Sequence, residues 1–63
     1  MVRGTLSISI LVNERPKVIS TMLVAGNSFV EMEDEAREKV KEFTERNKGL
    51  EVYCASVKVI LWV

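Results

Sequence analysis

The stretch Thr5 to Val12, TLSISILV, alternates polar and apolar side chains almost without a break, and this constrains the chain more than any other feature. Side chains of an extended strand point to opposite faces in turn. Leu6, Ile8, Ile10 and Val12 therefore share one face, and Thr5, Ser7 and Ser9 share the other. A helix would scatter the same residues around its circumference. The segment reads as a half-buried strand that needs a partner.

That partner follows at once. Asn13 to Lys17, NERPK, is a polar turn holding the chain's only proline, and Val18 to Ala25, VISTMLVA, resumes in β-branched residues. Proline cannot donate to a ladder and is expected outside the strand interior. Two strands joined by a short polar turn make an antiparallel hairpin. Two registers are open. With Val12 opposite Lys17, Leu6 faces Leu23, Ile8 faces Thr21 and Ile10 faces Ile19, while Leu11, Val18, Ser20, Met22 and Val24 join the hydroxyls on the other side. With Val12 opposite Val18, the faces of the second strand exchange. The first register is favoured because it gathers one strongly apolar face.

Gly26 to Ser28 breaks the strand pattern, and charge density then rises. Phe29, Met32, Ala36, Val40 and Phe43 are spaced by three, four, four and three, which places them on one stripe of a helix. The helix start has two candidates. Ser28 with Glu31 has the form of a capping box, or Phe29 and Val30 prolong the strand and the helix begins near Glu33. Acidic residues crowd the first turns and Arg46 and Lys48 the last, matching the helix dipole. Gly49 suits a left-handed terminator. Glu33 with Arg37, Glu35 with Lys39 and Glu42 with Arg46 are spaced for i to i+4 pairing.

Leu50 to Val63 reads as one more strand, with Tyr53, Ala55, Val57, Val59, Leu61 and Val63 on one face and Cys54, Ser56, Lys58, Ile60 and Trp62 on the other. The chain is thus predicted to be a single domain over 1–63. Its class is α+β, in the order β-β-α-β, with one helix packed on one face of a three-stranded, mainly antiparallel sheet. One helix covers one face, so oligomerisation is expected to complete the fold.

The 63 residues lie near the lower limit for a chain that folds unaided. The single Cys54 excludes an internal disulfide. With no histidine, a zinc site would rest on carboxylates and is disfavoured. An unpaired cysteine fits a reducing, cytoplasmic setting. No segment has the form of a signal peptide, and no apolar run reaches the ~18 residues of a membrane span. Nine basic residues balance nine acidic ones, so no net charge draws the chain to a phosphate backbone.

The absence of histidine also removes a Ser-His-Asp arrangement and any imidazole base for Cys54. Glu31, Glu33, Asp34 and Glu35 are hard oxygen ligands, yet consecutive helical positions diverge and no glycine loop wraps them around an ion. Gly4, Gly26 and Gly49 are too dispersed for a phosphate loop. No catalysis and no cofactor are therefore expected.

What remains is the apolar run KVILWV, Lys58 to Val63. On the open sheet face, Ile60 and Trp62 are expected beside Leu11 and Met22, an apolar patch that a second copy of the chain would cover. The leading expectation is a self-associating binding or assembly module, most simply a homodimer, without a membrane partner. The plainer reading folds Trp62 over the edge of its own core. The alternative function is nucleic-acid association, with Arg3, Arg15, Lys17 and Lys58 contacting phosphates and the aromatic side chains stacking on bases.

Overall fold

The computed structural model describes Met1 to Val63. Three strands, β1 (Val2–Val12), β2 (Arg15–Gly26) and β3 (Cys54–Trp62), and one helix, α1 (Phe29–Arg46), run in the order β-β-α-β. The sheet order is β2-β1-β3, both pairings are antiparallel, and the alternating segment forms the central strand. This is the α+β architecture expected from the periodicities. No helix is long and apolar enough to cross a membrane.

The hairpin is tighter than either anticipated register. Val12 pairs with Arg15, so only Asn13 and Glu14 form the turn, at φ 53° and 67°. Two consecutive left-handed residues fit a type I′ turn, whose twist matches that of the flanking strands. Pro16 lies inside β2, opposite Leu11. Hydrogen-bonded and non-bonded pairs alternate along an antiparallel ladder. One step from the closing pair, the nitrogen of Pro16 therefore faces the outer edge, where no donor is needed.

A bulge then corrects the faces of β2. Ser9 pairs with Val18 and Ile8 with Ser20, leaving Ile19 as the extra residue. Beyond it Leu6 faces Met22, and Gly4 faces Val24. Met22 and Val24 thus join the helix-covered side, while Leu23, opposite Thr5, is 74% exposed. A second bulge in β3 does the same for the end of the chain. Arg3 pairs with Leu61 and Gly4 with Val59, so Ile60 is the extra residue, and Trp62 falls opposite the buried Val2. Trp62 is on the helix side, and the unbroken alternation read from the sequence is corrected here.

α1 begins at Phe29 rather than Glu33. Ser28 Oγ accepts a bond from the Glu31 amide at 3.2 Å, and Glu31 Oε2 accepts one from the Asn27 amide at 2.8 Å. The reciprocal arm of this cap reaches one residue further back than in a standard capping box. At the other end the backbone and side-chain amides of Asn47 both donate to the Phe43 carbonyl, at 3.0 and 2.9 Å, and Gly49 follows at φ 94°.

The core consists of Val2, Leu6, Ile8, Val24, Met32 and Ala36, with Met22, Val40, Phe43, Val52, Val57 and Val59 packed around it. Met32 sits at its centre because Gly4 leaves room. A Cβ at Gly4 would lie 3.1 Å from Met32 Sδ and 2.7 Å from the Lys58 carbonyl oxygen. Gly26 permits an equally close approach, since a Cβ there would stand 2.5 Å from the Met32 nitrogen. The apolar stripe of α1 is consequently buried at Met32 and Ala36 and only half-buried at Val40 and Phe43. The helix leans over β2 and β1 and covers β3 thinly.

Candidate interaction surface

The thin cover of β3 opens an apolar groove of about 440 Å³ between α1 and β3. Leu6, Phe29, Ala36, Val40, Ala55 and Val57 line it, with Glu33 and Arg37 as its charged members. Arg37 holds Asp34 at 3.2 Å and Glu33 at 4.0 Å, so its charge is already paired on the surface of the helix. At the helix start the rings of Phe29 and Trp62 stack, with centroids 6.0 Å apart and an interplanar angle of 26°.

The opposite face of the sheet carries no helix. Its rows across β2, β1 and β3 run Leu23, Thr5, Lys58, then Thr21, Ser7, Ser56, then Val18, Ser9, Cys54. The middle of this face bears mostly hydroxyls, and its apolar groups divide between two ends. Leu11 and Val18 lie at one end; Leu23, Ile60 and Leu61 lie at the other. Ile60 borders a shallow depression with Arg3, Leu23 and Ala25.

The residues singled out from the sequence are therefore dispersed. Leu11 and Ile60 are exposed on the open face, Met22 is half-buried against the core, and Trp62 is exposed on the helix side. Of the four cations, Arg3 and Lys58 belong to the open face. Lys17 pairs with Ile10 and Arg15 with Val12, in the opposite alternation. Cys54 is exposed beside Ser9. No group of three or more carboxylates or thiols is placed to hold a metal ion.

The two outer edges of the sheet differ sharply. On β2, Pro16 lacks a donor, Ile19 bulges, and the Ala25 amide donates to Glu35 Oε2 at 2.6 Å. These are the devices by which edge strands avoid pairing with other chains. The i to i+4 spacing of Glu35 and Lys39 predicts a pair along the helix, and Glu35 turns to the strand instead. Its actual role was hidden because a carboxylate aimed at a strand has the same spacing as one aimed at a lysine. Just past the end of β3, the N-terminal ammonium of Met1 donates to the Val63 carbonyl at 2.6 Å and the Val63 amide donates to the Met1 carbonyl at 2.9 Å. Alternation then points the amides of Lys58 and Ser56 toward β1, and those of Ala55, Val57 and Val59 outward. This second edge has no proline and no side-chain cap.

The class defined by this geometry is a split β-α-β sheet with one helical layer, one bare face and one bare edge. Compared with known proteins, the chain matches no family model, no curated protein and no solved structure.

Proposed function

We propose that this protein is a small self-associating assembly module, working without catalysis in a reducing, cytoplasmic setting. The observation that carries the reading is its surface. The folded chain exposes 4797 Å², whereas a monomer of 7.1 kDa is expected to expose about 4,100 Å². The excess, about 700 Å², is close to the ~800 Å² that one partner contributes to a standard interface. The same surplus appears as a core of six hydrophobic residues, with Val57 and Val59 of β3 left half-covered.

Exposed apolar groups support the same reading. Ile60, Leu61 and Trp62, all on β3, are between 45% and 69% exposed. Sedimentation at micromolar concentration tests the proposal. An oligomer whose melting temperature rises with concentration is expected, and a monomer over that range would overturn it.

A further inference from the structure

We infer that the edge of β3 is the self-association surface and that its occupant is β3 of a second copy, paired antiparallel about a two-fold axis at Val57. This rests on the self-association reading above and specifies where and in what register it occurs.

The outward amides and carbonyls of β3 belong to Ala55, Val57 and Val59, between the bulge at Ile60 and the end of the strand. This set is its own complement. Centring the axis on Val57 sets Val57 opposite the second copy's Val57 and Ala55 opposite its Val59, and each such pair exchanges two backbone bonds. A two-fold interface requires this kind of self-matching patch. β2 presents a shorter set, Thr21 and Leu23 alone, because Ile19 bulges on one side of it and Glu35 already occupies the Ala25 amide on the other.

The side chains agree with the backbone. On the open face, the register puts Ser56 opposite the second copy's Lys58, so the two lysines do not face each other. On the helix side, Ala55, Val57 and Val59 of both copies form one continuous apolar floor. The groove between α1 and β3, open along this edge, thereby gains the half-buried valines of a neighbour where each chain now ends in solvent.

A synthetic chain carrying N-methyl at Val57 tests this directly. The Val57 amide lies outside the β1 ladder, so the methyl blocks the edge while leaving the protomer's own bonds in place. Sedimentation should show dimer dissociation raised at least roughly tenfold, with the helical circular dichroism retained. Ser56→Lys, a change at an exposed position, should weaken the dimer roughly tenfold by setting two like-charged pairs across the axis, and Ser56→Glu should tighten it. A wild-type dimer that survives N-methyl-Val57, or survives Ser56→Lys unchanged should the methylated chain fail to fold, would overturn the β3 edge and leave self-association standing. A monomeric wild type would overturn both.

Discussion

Glu35 on the second turn of α1 accepts the backbone amide of Ala25, and this single bond at 2.6 Å both ties the helix to the sheet and caps the end of the β2 edge. The contact is part-buried and its acceptor is a carboxylate oxygen, a stronger acceptor than a neutral amide or hydroxyl. Removing the carboxylate in Glu35→Ala should destabilise the fold by about 1–2 kcal/mol and speed hydrogen exchange at the Ala25 amide. Glu35→Gln keeps an acceptor and should fall between. Exchange at Ala25 that does not change in Glu35→Ala would show that the bond is not formed in solution.

The packing of Met32 against Gly4 places the weight of the core near the helix start. Met32 is fully buried whereas Phe43 is half-buried. Met32→Ala should therefore cost about 2–5 kcal/mol and exceed Phe43→Ala. Gly4→Ala should cost about 1–3 kcal/mol, since its methyl meets the Lys58 carbonyl and the Met32 sulfur. Urea melts of the three variants give the ranking, and a larger loss in Phe43→Ala would contradict it.

Glu14 occupies the left-handed region at φ 67° although it is not glycine. Such a backbone is costly for a residue with a Cβ and free for glycine, which type I′ turns favour at this position. Glu14→Gly should raise stability by roughly 0.5–1 kcal/mol, read as a higher urea midpoint at unchanged slope. A lower midpoint would point to a longer, differently closed loop.

Phe29 and Trp62 join the first turn of α1 to the end of β3 through their stacked rings. A double-mutant cycle with Phe29→Leu and Trp62→Leu should yield a coupling of about 0.5–1.5 kcal/mol. Additive losses would mean that Trp62 does not rest on the helix side. Because Trp62 is the only tryptophan, its fluorescence should also shift in Phe29→Leu.

The short-range patterns determined the elements. TLSISILV has a period of two and must be a strand. The spacing from Phe29 to Phe43 has a period near 3.6 and must be a helix. The absence of histidine and the single Cys54 exclude an imidazole base and an internal disulfide by composition alone. These are properties of neighbours along the chain, and the backbone geometry of one element suffices to express them.

Tertiary structure decided everything that depends on one extra residue. Ile19 and Ile60 each add a single position to a strand, and with a period of two one position moves every later side chain to the other face. Met22 thereby moved under the helix and Trp62 moved onto Phe29, while Pro16 entered β2 because its nitrogen could face outward. No local pattern marks such residues. They are selected where Gly4 and Gly26 let Met32 approach the sheet and where Glu35 reaches the Ala25 amide, contacts that exist only once distant segments have met.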